Sequence, residues 1–266
     1  MTTPAPAAKL FGISALGSYE LDLDSSERRT VSGTSRSSGL GVALVRLDES
    51  VYVADAQGVY SISVNTGQIK MLTTAFRGSG LGISLTQSNG ILYGVNAQGT
   101  YAIFPETGQV KLLTPIFRSS GLGVAMTELD GVIFAVNAQG TYTISPDTGA
   151  VVLLTPTFRS SGLGVALTKY ANTIYGVNAQ GIYTISIETG EVKAFTNRFR
   201  GSGFDVALTS GNGRLYGTDA NGTYSIDLKS KRVRPVPKFI RGTGGSVAIV
   251  YLTAPTASPS VDGGMD

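Results

Sequence analysis

The chain has 266 residues, 42% of them hydrophobic and 15% charged, which is enough apolar material for a large core. A net charge of +3 is too small to mark a nucleic-acid binder. Neither cysteine nor histidine occurs, so disulfides, thiolate metal sites and imidazole acid–base chemistry are all excluded, and any reaction would have to use carboxylates, Tyr, Lys, Arg or hydroxyls.

Residues 1–9 are small and rich in Pro and Ala, and read as a flexible segment. They lack a basic stretch followed by an apolar one, the pattern of an export signal, and no run approaches the roughly 18 apolar residues of a membrane span. The expectation is a cytoplasmic protein without a membrane span, with secretion by a non-classical route left open.

Residues 10–252 are organised by repetition. The phrase Arg36-Ser37-Ser38-Gly39-Leu40-Gly41-Val42-Ala43-Leu44 returns at Arg77, Arg118, Arg159, Arg200 and Arg241, and successive arginines stand 41 residues apart. One unit contains four short apolar stretches: Val124–Met126, Val132–Val136, Thr141–Ile144 and Val151–Leu154. They are β-branched or aromatic and bounded by Gly, Asn, Asp or Pro, which predicts strands. The links Asn137-Ala138-Gln139-Gly140 and Pro146-Asp147-Thr148-Gly149 carry the Gly and Asn/Asp that hairpins with positive φ require. A period near 40 with four antiparallel strands per unit predicts an all-β fold, the β-propeller.

The number of blades follows from the ends of the chain. The second-strand aromatic recurs at Phe11, Tyr52, Tyr93, Phe134, Tyr175 and Tyr216, and the third-strand tyrosine at Tyr19, Tyr60, Tyr101, Tyr142, Tyr183 and Tyr224. Three strands therefore begin at the N-terminus (10–31), and their missing first strand is at 246–251. The reading is a six-bladed β-propeller closed by N- and C-terminal strands in one sheet, followed by a flexible tail over 253–266. Blades are numbered here from the one that follows Arg36; blade 6 follows Arg241 and ends with the N-terminal strands.

In an up-and-down blade, the connection to the next blade emerges at the same end as the turn between strands two and three. That end is expected to gather the six arginines around the central channel. It would also carry Asn96, Asn137 and Asn178, and Gln57, Gln98, Gln139 and Gln180. The opposite end carries the Glu106, Asp147 and Glu188 turns, ordinary solvated hairpins. Forked guanidinium and amide donors suit carboxylate, phosphate or sugar hydroxyls, and they equally suit carbonyls of neighbouring blades. Both uses stay open.

The repeat breaks in one sector. Asn is replaced by Asp55, Asp219 and Ser14 in blades 1, 5 and 6, and Phe204-Asp205 replaces Leu-Gly in blade 5. Asp205, Asp219 and Asp55 are candidate acid, base or cation-binding groups, with drift near the closure as the alternative. Gly78-Ser79-Gly80-Leu81-Gly82 precedes a strand, not a helix, and is no nucleotide fingerprint. Asp219-Ala220-Asn221-Gly222 lacks the downstream Glu of a calcium loop. No cofactor or metal is expected.

The stretch Ile174-Tyr175-Gly176-Val177-Asn178-Ala179-Gln180-Gly181-Ile182-Tyr183-Thr184-Ile185 resembles bacterial β-propeller repeats, and is similar in spirit to the tachylectin-like lectin propellers. That resemblance implies near-identical blades presenting repeated sugar pockets. Six-bladed propeller enzymes of the lactonase-like group, which hold a channel metal with Asn and Asp, offer a second analogy. Three functions follow: a lectin-like binder of carbohydrate or small anionic ligands at inter-blade sites, an enzyme with one site at the channel mouth, or a scaffold for an acidic protein partner.

Overall fold

A computed structural model of the chain describes residues 8–33, 41–78, 82–119, 123–160, 164–201, 206–237, 239–242 and 247–252. The terminal segments predicted to be flexible lie mostly outside these ranges. Six four-stranded antiparallel sheets are present, five of them built from strands consecutive in sequence. Among the described residues there is no helix, and so none long and apolar enough to cross a membrane.

Blade 3 shows the plan. Its inner strand Ala125–Leu129 pairs with Val132–Val136, which pairs with Thr141–Ile144, which pairs with the outer strand Val151–Thr155. Blade 6 is closed as expected: the C-terminal strand Ala248–Leu252 pairs with Lys9–Ser14, and Gly17–Asp22 and Arg28–Ser32 follow outward. The inner strands of successive blades contact one another all the way round, from Ala43–Leu47 to Ala248–Leu252 and back. This hydrogen-bonded closure ties the two ends of the chain into one sheet.

The core is not a single ball but six layers, each between two neighbouring blades. Ile133 and Ala135 of blade 3, for example, pack with Tyr93 and Val95 of blade 2. The same arrangement recurs at the other five seams. Consecutive apolar residues in the second strands follow from this, because both faces of each sheet are covered. The positive-φ non-glycines are Asp48, Asn89, Asp130, Ala171 and Asn212 in the turns from inner to second strand, with Ser26 and Lys231 at the other hairpin. Asn137 and its equivalents are not among them, and their role is different from the one expected.

Four of the six seams are wedged by the aromatic that precedes the arginine. Phe76, Phe117, Phe158 and Phe199 are almost fully buried. They meet the third-strand tyrosines Tyr101, Tyr142, Tyr183 and Tyr224 at centroid distances of 5.4–5.7 Å. Room for the ring comes from the second strand: a Cβ on Gly94 would lie 2.5 Å from Phe76 Cζ, and Gly176 and Gly217 face Phe158 and Phe199 in the same way. In blade 1 the exchange is reversed. Ser35 stands where the Phe would be and Val53 where the glycine would be, and Tyr60 is buried to 4% exposure while its counterparts stay half-buried. In sequence, bulk is traded between the two positions, and Val53 and Tyr60 pack in the core of that seam.

Candidate functional site

The end of the molecule that carries the arginines is held by a repeated amide clamp. Asn96, Asn137 and Asn178 are buried. In blade 3, Asn137 Oδ1 accepts from Gln139 N at 2.9 Å, and Nδ2 donates to Arg118 O at 3.4 Å. Its backbone carbonyl accepts from Ser160 N at 3.0 Å. One asparagine therefore fastens the connector entering its blade to the connector leaving it. Asn96 and Asn178 repeat the pattern. The amide is needed because its carbonyl must accept while its NH2 donates.

Those bonds also establish that the arginine connectors and the Asn turns share one end of the molecule. They also fix where along the blade the arginine backbone lies. Thr100 Oγ1, at the start of a third strand, donates to Phe117 O at 2.9 Å, and Ser119 N, two residues on, bonds Asn96 O at the end of the second strand. The Arg118 backbone thus sits midway across a blade, over the seam. A connector running from an outer strand to the next inner strand has covered only half its path four residues after leaving it. Arg77, Arg118, Arg159, Arg200 and Arg241 are all exposed, and Gln57, Gln98, Gln139 and Gln180 are exposed beside them. Arg77 Nε donates to Thr74 O at 3.1 Å, within its own connector. Arg36 lies outside the described residues.

The acidic sector separates into individual roles. Asp55 Oδ1 accepts from Gln57 N at 2.7 Å, and Oδ2 accepts from the Tyr60 hydroxyl at 3.1 Å. Asp219 Oδ1 accepts from Asn221 N and Gly222 N at 2.8 and 3.1 Å. Each aspartate therefore closes its own hairpin, with donors replacing what the asparagine clamp supplied. Ser14 does likewise through Leu16 N at 3.3 Å. Blade 6 stands between blades 5 and 1, so Asp55 and Asp219 belong to non-adjacent sheets. Asp205 lies outside the described residues. Among the described residues no group of three or more Asp or Glu could hold a metal ion.

The tyrosines whose pKa is raised, Tyr52, Tyr93, Tyr175, Tyr216 and Tyr251, lie in the seam cores or pack against them, and burial is the main cause. Burial pushes the Tyr216 hydroxyl up to about 12, helped by Tyr251, which stacks on it at 5.8 Å. It stays protonated at any physiological pH.

No protein-family model matches the chain, and no curated protein matches it. Similar solved structures do exist. A chain in the crystal structure of a nidogen/laminin complex aligns over 92% of this chain and 98% of its own length, with a TM-score of 0.70 and 13% identity. A structural-genomics protein of unknown function from Bacteroides thetaiotaomicron VPI-5482 aligns over 86% of this chain and 64% of its own, with a TM-score of 0.60 and 15% identity. The extracellular domain of BT4673, from a B. thetaiotaomicron one-component system, aligns over 88% of this chain and 34% of its own, with a TM-score of 0.53 and 14% identity. This chain thus spans less than two thirds of each of the two bacterial proteins. At such identities the likeness is one of fold, that of the six-bladed β-propeller.

Proposed function

We propose that this propeller is a non-catalytic binding module. Its exposed arginines and glutamines form repeated inter-blade sites for acidic carbohydrate or other anionic groups. The observation that supports this most is the separation of labour at one end of the molecule. The buried Asn137-type amides fix the backbone of the connectors, while the arginines those connectors carry stay exposed. A residue kept only for the fold would turn all its donors onto neighbouring carbonyls, whereas Arg77 commits only Nε in that way, to Thr74 O. Five such groups at equivalent positions suit a ligand that repeats, because linked weak contacts multiply into avidity. Nidogen, named in one structural neighbour, is there in complex with laminin, and a propeller engaged with a partner is compatible with this reading.

Calorimetry with an acidic oligosaccharide, oligogalacturonate, tests it. More than one binding equivalent per chain is expected, with affinity falling steeply as salt rises. Arg118→Ala and Arg159→Ala together should lower the binding at least tenfold. A single equivalent, or none, or binding indifferent to both substitutions, removes the reading.

A further inference from the structure

The seam between blades 5 and 6 differs from the other five, and the difference opens a cleft. In blades 1, 2, 3, 4 and 6 the pairing of third and outer strands slips by one residue at the start of the third strand, beside the turn from the second strand. That bulge folds the outer-strand carbonyl onto the hairpin glycine: a Cβ on Gly99 or Gly140 would lie 2.7 Å from Thr114 O or Thr155 O. In blade 5 the register runs on without slipping, Thr223 opposite Val236 and Tyr224 opposite Pro235. A Cβ on the equivalent Gly222 would meet nothing within 4 Å. The sequence supplies the cause. The Thr of the regular blades accepts a bond from the backbone two residues on, as Thr114 Oγ1 does from Ile116 N at 3.2 Å. Pro237 stands there in blade 5 and has no hydroxyl. The wedge is altered as well, with Ile240 in place of Phe and the aromatic moved back to Phe239.

The resulting cleft has a volume of about 370 Å³, within the range of small-molecule sites. Tyr19, Tyr224 and Phe239 supply aromatic walls, and Arg28 and Arg241 are its two charges. Among the described residues no carboxylate lines it. The Arg28 guanidinium lies 4.8 Å from the Tyr19 ring centroid, a cation–π contact that holds it along the wall. Leu16, 68% exposed, sits on the lining from the blade 6 side.

We propose that this cleft is a single binding site for a six-membered ring bearing a carboxylate, the ring against the aromatic walls and the carboxylate on the guanidiniums. That chemistry is shared by uronic acids and aryl carboxylates. The site shares Arg241 with the repeated arginine positions and is otherwise set apart from them.

Calorimetry of the full chain with D-glucuronate, benzoate and neutral D-glucose tests the proposal. One equivalent is expected for glucuronate or benzoate, whichever binds identifying the ring, and binding of glucose at least tenfold weaker. Leu16→Glu sets a negative charge at the cleft without disturbing the core and should weaken the carboxylate at least tenfold. Leu16→Gln should change it less than threefold, and Arg28→Ala should weaken it about tenfold. Loss at this site with multi-equivalent oligogalacturonate binding intact separates it from the rim sites. Failure of both carboxylates to saturate at millimolar concentration overturns the proposal, as does binding equal in Leu16→Glu and the parent.

Discussion

Blades 1 to 4 and blades 5 and 6 use the same hairpin position in opposite ways. In the first group the turn between third and outer strands holds a left-handed glycine, Gly67, Gly108, Gly149 or Gly190. It lies against the outer strand of the preceding blade: a Cβ on Gly67 would be 2.6 Å from Val31 O, and one on Gly108 2.6 Å from Leu72 O. In the second group the equivalents are Lys231 and Ser26, also with positive φ. Lys231 reaches instead to the Phe195 ring, 5.1 Å from its centroid. Four seams are thus closed backbone to backbone, and the two flanking blade 5 are not. The open cleft belongs to one of those two. The aromatic-walled cleft lies where the repeats depart from identity.

The wedge gives the largest expected effect. Phe158→Ala should cost about 3–5 kcal/mol in denaturant unfolding, as for other large core truncations. Ile240→Ala, at the cleft seam, should fall at the low end of about 2–5 kcal/mol, because its surroundings are already loosened. The trade seen in blade 1 sharpens this. Phe158→Ser combined with Gly176→Val copies the Ser35 and Val53 pair, and should be at least about 1 kcal/mol more stable than the sum of the single changes implies. Strict additivity would show that the two positions do not share volume.

How much of this was written in the sequence depends on the range of the interaction. The strands, the six blades and the closure of 10–31 by the C-terminus follow from period, alternation and turn residues, all local signals. The clamp was only half legible. Asn137 was visible as a turn residue, but its bond to Arg118 O joins positions 19 apart through a connector whose path no local pattern states. The same holds for the arginines, whose end of the molecule follows from topology and whose distance from the axis does not. Pro237 and the shift from Phe to Ile at 240 were plain in the aligned repeats. Their consequence, a missing bulge, depends on the register of strands and had to be seen.

The hairpin glycine supplies an intermediate effect with opposite signs in the two regions. Gly149→Ala forces a side chain into the left-handed region, costing about 1–2 kcal/mol, and drives its Cβ onto Leu113 O, so the total should exceed about 2 kcal/mol. Ser26→Gly at the equivalent site relieves a left-handed non-glycine and should be neutral or stabilising by up to about 1 kcal/mol. Equal destabilisation by both would mean that the seams are closed alike.

Acid provides the smallest and most selective probe. The regular turns of blades 1, 3 and 4 are capped by hydroxyls, Ser63, Ser145 and Ser186 accepting from Thr66 N, Thr148 N and Thr189 N. Blades 5 and 6 use carboxylates instead: Asp227 Oδ1 accepts from Ser230 N at 2.7 Å and Asp22 Oδ1 from Ser25 N at 2.8 Å. The backbone N–H of Ser230 holds the Asp227 carboxyl below its usual value of 3.8, and that of Ser25 does the same for Asp22. A folded value below the unfolded one means that the contribution is present above about pH 3.8 and is lost as pH falls through the lower, folded value. Both groups are only partly buried and are screened by solvent, so global stability should barely register it. The amide proton shifts of Ser25 and Ser230 should nevertheless titrate with midpoints below 3.8, while those of Thr66, Thr148 and Thr189 stay flat. Midpoints at or above 3.8 would show that the charged caps do not form, and the chemical contrast between the two groups of blades would then rest on glycine alone.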